Sequence, residues 1–323
     1  MSSVYLASYL GPLETWLARP DVTDILINRA GEAWIETAGG GMTREAAPEV
    51  TELVLTRLAR QIAAASHQAV NREQPLLSAS LPSGERVQVI SPPATREGVA
   101  VAVRKHSISD LSLGDLARSG VFERRRDTGA AGDATLRSLL AAGELEAFLS
   151  AAVRQRKTIV LAGGTSSGKT TLLNGLIKQI APGERLIAIE DAPEIRLAQP
   201  NALGLIAVRG EMGEARVDAE ALLQASLRMR PDRILLGELR GAEAFAFLRA
   251  VNTGHPGSIT TLHADSPKGA LDQIAMMALL GGANLDWAAV RAYAAQVIDV
   301  VVQMRRDNGR RFVSRVLFQG EEF

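Results

Sequence analysis

The chain has 323 residues, 46% apolar and 22% charged, the balance of an ordinary globular protein of about two domains. Lysine plus arginine equals aspartate plus glutamate at 36 each, so the net charge is zero, which argues against a protein whose main task is gripping nucleic acid through a basic surplus. Cysteine is absent, which excludes a disulfide framework and a thiolate metal site and agrees with a reducing compartment.

The opening residues, MSSVYLASYLGPLETWL, have neither a basic start nor a long apolar stretch and are not expected to act as a signal peptide. No run approaches the ~18 apolar residues of a spanning helix. A soluble, intracellular protein is therefore expected, with any membrane attachment peripheral or through partners. The first block, residues 1–106, alternates strand-like runs (DILIN around Ile25, AWIET around Trp34) with a helical stretch from Glu49 to about Ser66. Two further strand runs begin at Arg86 (RVQVIS) and Val101 (VAVRK), and LPSG (Leu81 to Gly84) supplies the turn before the first. This block predicts a small α+β domain.

From 107 to 135 the periodicity fades, and ERRRDTGAAGD (Glu123 to Asp133) predicts a solvated linker. At about 30 residues it is long for a connector and would permit exchange of domains between subunits. Residues 136–323 alternate helical stretches with buried-type strands at TIVLA (Thr158), RLIAIE (Arg185), RILLGE (Arg233), SITTLH (Ser258) and VIDVVVQM (Val297). That alternation predicts an α/β domain with a largely parallel sheet covered on both faces.

The strongest chemical signal is GGTSSGKT, which fits the phosphate-loop pattern G-x-x-x-x-G-K-S/T. Consecutive backbone N–H groups in such a loop form a concave anion site, and the next helix adds its positive end. The candidate phosphate-binding residues are Gly163, Gly164, Thr165, Ser166, Ser167, Gly168, Lys169, Thr170 and Thr171. Lys169 is expected at the β- and γ-phosphates and the Thr170 hydroxyl on Mg²⁺. TIVLA before the loop reads as a strand and TLLNGLIKQI after it as a helix.

Hydrolysis also needs carboxylates at neighbouring strand ends. RILLGELRG offers Glu238, a candidate for holding Mg²⁺ or orienting the attacking water. IEDAPEI offers Glu190, Asp191 and Glu194, whose mutual repulsion favours a nearby cation for at least one of them; the alternative is a solvated turn. His263 closes an apolar strand, where an imidazole could reach a γ-phosphate or its lytic water. His255 is a weaker candidate, and His67 and His106 fit surface or structural roles. The four histidines show no metal-ligand spacing.

These segments, GGTSSGKTTLLN, IEDAPEI, LRMRPDRILLGELRGAEA and GHPGSITTLHADS, occur in one order and together resemble the Walker A, Asp, Walker B and His boxes of the secretion-superfamily ATPases. The phrasing is most similar to the type IV secretion and conjugation branch, with the type II secretion and pilus ATPases more distant. The resemblance is good from about Arg86 to Ser266 and loose over the first eighty residues. It implies a RecA-like C-terminal domain, an N-terminal domain closing over ATP and Mg²⁺, and a homohexamer at the cytoplasmic face of the inner membrane working with other machine components. It further implies phosphate contacts from N-terminal arginines, for which Arg86 and Arg104 are the matching candidates; Arg228, Arg230, Arg233 and Arg240 have undecided roles. Gly237 stands where many P-loop proteins carry an aspartate, so the metal-binding and water-orienting duties fall on Glu238 with Glu190 or Asp191. The competing function is a RecA-like helicase or translocase acting directly on nucleic acid, which the neutral charge and the 4% aromatic content weigh against. A nucleotide-dependent scaffold is disfavoured by the complete site, and a GTPase by the lack of an Asn-Lys-x-Asp element.

Overall fold

The computed structural model describes residues 2–105, 112–118, 120–122, 129–208, 213–283 and 285–323. Helix α1 (Ser2–Leu17) leads into β1 (Val22–Ile27), β2 (Gly31–Thr37) and β3 (Met42–Ala47). Helix α2 (Glu52–Ala65) follows, and then β4 (Leu76–Ser80), β5 (Arg86–Ile90) and β6 (Ala100–Arg104). These strands form one antiparallel sheet in the order β3-β2-β1-β6-β5-β4. Thr51 caps α2 by accepting from the Val54 N–H at 3.3 Å, and Leu55, Leu58, Ala59 and Ile62 fall on one buried face.

The period of two along each strand divides the sheet between two cores. Ile25, Ile27, Val101 and Val103 face α1 and α2 and pack with Leu13, Trp16, Leu55 and Leu58. Leu26, Trp34, Ala100 and Ala102 face the other way and join a cluster with Leu203, Leu205 and Met229 from the second half of the chain. The central strands of the first sheet, β1, β5 and β6, are therefore largely buried on both faces.

The second half begins with α3 (Leu113–Arg118), α4 (Gly129–Ala141) and α5 (Leu145–Arg154). Helix α3 lies inside the segment expected to be a linker, and α4 begins in it and runs beyond. Leu136 and Leu140, one turn apart, anchor α4 in the core. Lys157 holds Asp133 at 2.6 Å near the start of that helix. The charge run at 123–128 and His106 lie outside the described residues. Next come β7 (Ile159–Gly163), α6 (Lys169–Ile177), β8 (Leu186–Glu190), β9 (Ala202–Ile206), α7 (Ala219–Ser226), β10 (Arg233–Leu236), α8 (Glu243–Asn252), β11 (Ile259–Leu262) and α9 (Pro267–Leu280). The chain ends with α10 (Trp287–Val297), β12 (Val300–Asp307), β13 (Arg310–Phe318) and β14 (Glu321–Glu322).

The second sheet runs β14-β13-β12-β7-β11-β10-β8-β9, parallel from β12 to β9 with β13 and β14 added antiparallel at one edge. Ile159, Leu161, Leu186 and Leu235 pack beneath α4, α5 and α6. Val160, Ile187, Ile234 and Leu262 pack against α7, α8 and α9 on the opposite face. The expected α/β layout with a doubly covered, mostly parallel sheet is what the chain forms. The apolar run at Val297 splits into the end of α10 and the start of β12.

The two sheets are joined by backbone as well as by apolar packing. Residues 94–96 lie along the outer strand β9: Thr95 bridges Leu205, Arg96 N–H donates to Gly204 O at 3.0 Å, and Ile206 N–H donates to Ala94 O at 2.9 Å.

Candidate functional site

In a parallel α/β sheet, ligands collect beyond the carboxyl ends of the strands. Here β7, β8, β10 and β11 end side by side, and each delivers one of the residues singled out in the sequence. Thr165, Ser166, Lys169, Thr170, Glu190, Asp191, Glu194, Glu238, Arg240 and His263 line one cleft of about 240 Å³.

The loop between β7 and α6 is shaped by glycine. Gly168 has φ +99° and a Cβ there would meet the Arg311 side chain, while a Cβ on Gly163 would sit 2.6 Å from the Met304 carbonyl oxygen. Helix α6 starts at Lys169, so its free N–H groups and positive end point into the loop. Lys169 Nζ donates to the carbonyls of Gly163 at 2.7 Å and Gly164 at 3.1 Å. Burial lowers its pKa and Arg240 adds to that, while Glu238 pulls it back up. Thr170 sits one residue on, at the cleft wall.

Opposite the loop, Glu238 is the centre of a charged group. Its Oε1 lies 2.8 Å from His263 Nε2 and its Oε2 pairs with Arg240. Arg240 also reaches Asp191 at 3.4 Å, and the hydrogen bond it donates to Glu238 holds its guanidinium more firmly protonated than usual. A carboxylate fixed between an imidazole and a guanidinium, facing a phosphate loop, can orient a water for in-line attack while the guanidinium and Lys169 offset developing charge.

Glu190 lines the same cleft and is held there by contacts of its own. Its Oε1 accepts from the N–H groups of Glu194 at 3.0 Å and Ile195 at 2.7 Å, and its Oε2 pairs with Arg96. Through these contacts Glu190 holds the turn that follows β8. Gly237 fits this arrangement, because a Cβ there would lie 3.0 Å from Glu190 Cγ.

Arg86 and Arg104 are cross-strand partners on β5 and β6, and they line a separate cleft with Asp24, Arg228 and Arg230. The structure does not bring them to the phosphate loop. Arg230 pairs with Glu36 and with Asp232 at 2.7 Å, and Arg233 is buried against Glu184 at 2.7 Å, so both serve packing. His255 Nδ1–H donates to the Pro231 carbonyl at 3.0 Å, away from the cleft, and burial lowers its pKa. His67 follows the end of α2 with φ +55°.

Two cleft neighbours escaped sequence reasoning. Arg96 reaches Glu190 from the first sheet, and Arg311 on β13 donates to Ser166 O at 3.2 Å across the phosphate loop. Neither carries a motif; only the chain fold brings it there. No cluster of three or more acidic, histidine or cysteine residues suited to a protein-held metal occurs among the described residues. The donor set instead matches a Mg²⁺ carried with phosphate, which keeps its waters and takes few protein ligands.

The chain matches the model of the type II/IV secretion system protein family over residues 7–308. It is 36% identical over 326 residues to the type IV secretion system protein VirB11 of Bartonella henselae, covering 96% of this chain and 91% of that one. It is 38% identical over 322 residues to PtlH of Bordetella pertussis, covering 96% and 93%. The crystal structure of the VirB11 ATPase from the Brucella suis type IV secretion system, in complex with sulphate, superposes with a TM-score of 0.91 at 36% identity, covering 98% of this chain and 95% of that one. Matched in sequence along nearly its whole length and in structure across both sheets, the chain belongs to the type II/IV secretion system protein family, alongside the VirB11 proteins.

Proposed function

We propose that the chain is the ATP-hydrolysing motor of a type IV secretion or conjugation apparatus, working as a homohexamer at the cytoplasmic face of the inner membrane with other components of the machine. The observation that carries the chemistry is the meeting of Lys169 and Thr170 with Glu238, His263 and Arg240 at the ends of adjacent strands. Loop N–H groups and Lys169 bind the β- and γ-phosphates, and Glu238 orients the lytic water while His263 holds it in place. Thr170 and Glu238 would hold Mg²⁺, directly or through water, and the ion would neutralise charge on the transferring phosphoryl group. Glu190, which lines the same cleft, would share that duty, with Asp191 beside it on the acidic wall.

The three segments 1–106, 107–135 and 136–323 serve as the N-terminal domain, linker and RecA-like domain. In the arrangement described, Arg86 and Arg104 serve the cleft between the sheets. A phosphate contact from them requires the first sheet to move or a second subunit to supply them. Attachment to the membrane is through partners, since no helix among the described residues is long and apolar enough to cross one.

The test is ATP turnover of the purified protein beside Lys169→Ala, across protein concentration and with and without DNA. Turnover that rises with assembly, ignores DNA and disappears in Lys169→Ala supports the motor. Strong stimulation by DNA would favour the helicase instead, and no turnover under any condition would leave a scaffold.

A further inference from the structure

Glu190 is a carboxylate with only 4% of its side chain exposed, in a protein that has to bind a polyanion a few ångströms away. Such a group stays ionised only when hydrogen bonds and a cation compensate it. Two backbone N–H groups, of Glu194 and Ile195, supply part of that compensation, and the cation is Arg96. Arg96 does not belong to the sheet that carries Glu190. It arrives on residues 94–96, between β5 and β6, where that segment lies along the edge of β9.

Its side chain crosses Gly204, where a Cβ would collide with the Arg96 methylenes, and donates to the Ile195 carbonyl at 3.0 Å before reaching Glu190. Arg96 thus grips both ends of the turn after β8: the carboxylate at its start and the backbone at its finish. That turn carries Asp191 and Glu194 into the cleft wall, and Asp191 contacts Arg240, the partner of Glu238. A continuous set of contacts therefore runs from the first sheet through Arg96, Glu190, Asp191 and Arg240 to Glu238.

We propose that Arg96 is a positioning residue for ATP hydrolysis: by locking Glu190 and the turn after it, it makes the placement of Glu238 depend on the seating of the N-terminal sheet against β9. This rests on the ATPase function proposed above. Because Arg96 contacts Ile195 and Glu190 and does not line the cleft with the phosphate loop, it acts on turnover and leaves nucleotide binding nearly intact.

The experiment uses the full-length protein in five forms: wild type, Arg96→Ala, Arg96→Lys, Glu190→Gln and the Arg96→Ala/Glu190→Gln double variant. Turnover is measured against MgATP concentration, and amide hydrogen exchange is followed at Glu194 and Ile195. Arg96→Ala is expected to lower kcat about tenfold or more with KM changed less than about threefold, as for an interaction felt at the reaction step alone. The double variant is expected to be no worse than Arg96→Ala, since both changes break one lock. Arg96→Lys, which keeps the charge but loses the fork, is expected between wild type and Arg96→Ala, and it carries the test if Arg96→Ala does not fold. A kcat within about twofold of wild type, or losses that multiply in the double variant, would overturn the proposal.

Hydrogen exchange separates this outcome from failure of the ATPase function itself. If wild type shows no turnover, that function fails, and the lock is judged by the two amides. Faster exchange in Arg96→Ala, or in Arg96→Lys where only that variant folds, upholds it, and unchanged exchange overturns it.

Discussion

Gly237 shows how one missing Cβ organises the acidic side of the cleft. Its N–H donates to the Ile189 carbonyl at 2.8 Å, which holds the ends of β8 and β10 together, and its bare Cα leaves room for the Glu190 side chain. Gly237→Ala is expected to cost about 1–3 kcal/mol of stability, as overpacking of a tight site does. It is also expected to lower turnover, because Glu190 has to shift; urea denaturation and steady-state ATPase assays measure the two effects. Glu238 and His263 act at the reaction instead. Glu238→Gln and His263→Ala are each expected to cut kcat by about 10²-fold or more while leaving binding of a fluorescent ATP analogue close to wild type. A matching loss of nucleotide affinity would show that they serve the ground state. These residues were legible in the sequence because each follows an apolar strand run directly. The duty of Glu190 was not, because it depends on Arg96, separated from it by nearly a hundred residues and marked by no motif.

Strand β8 is tied to the first sheet at both of its ends. At the carboxyl end Glu190 meets Arg96, and just before the strand begins Arg185 is fully buried. Arg185 donates to Asn28 Oδ1 at 2.8 Å and to the Met229 carbonyl at 2.9 Å, pairs with Asn201, and burial pushes its pKa down to about 9. Asn28 Nδ2 in turn donates to Asn201 Oδ1 at 3.0 Å. Asn28→Ala removes an acceptor from a buried guanidinium and is expected to destabilise the protein by about 1–3 kcal/mol. Equilibrium unfolding measures it, and a change below about half a kcal/mol would mean that water replaces the amide without cost. Other elements followed from pattern. The parallel strands β7, β8, β10 and β11 read as continuous apolar runs, because both faces of that sheet are covered. Strand β3 (MTREAA) gave no signal, since it is an edge with mostly exposed side chains that pairs only through β2. Helix α4 was hidden by its glycine and alanine content, and only Leu136 and Leu140, packed on the second sheet, make it a core element.

The first sheet cannot stand as an independent domain in the form described here. Leu26, Trp34, Ala100 and Ala102 share a core with Leu203, Leu205 and Met229, and at roughly 25 cal/mol per Å² buried apolar area dominates that contact. The exposed ion pairs between the halves, Arg72–Glu214 and Arg216–Glu73 (2.8 Å), add little, because solvent screens them. The whole chain is therefore expected to unfold in one transition, insensitive to salt, when followed by tryptophan fluorescence and by circular dichroism together. Trp16 and Trp34 report on the N-terminal half and Trp287 on α10, while the far-ultraviolet signal is dominated by the helices of the second half. A fragment of residues 129–323 exposes Leu203, Leu205 and the side chains around them, and is expected to bind the dye ANS where the intact chain does not. Two separate transitions, with a fragment that binds no dye, would mean that the sheets hold together mainly through polar contacts such as those of Arg96 and Arg185. The N-terminal sheet would then be free to open and close at little apolar cost, and the lock at Glu190 would be the main barrier to its motion.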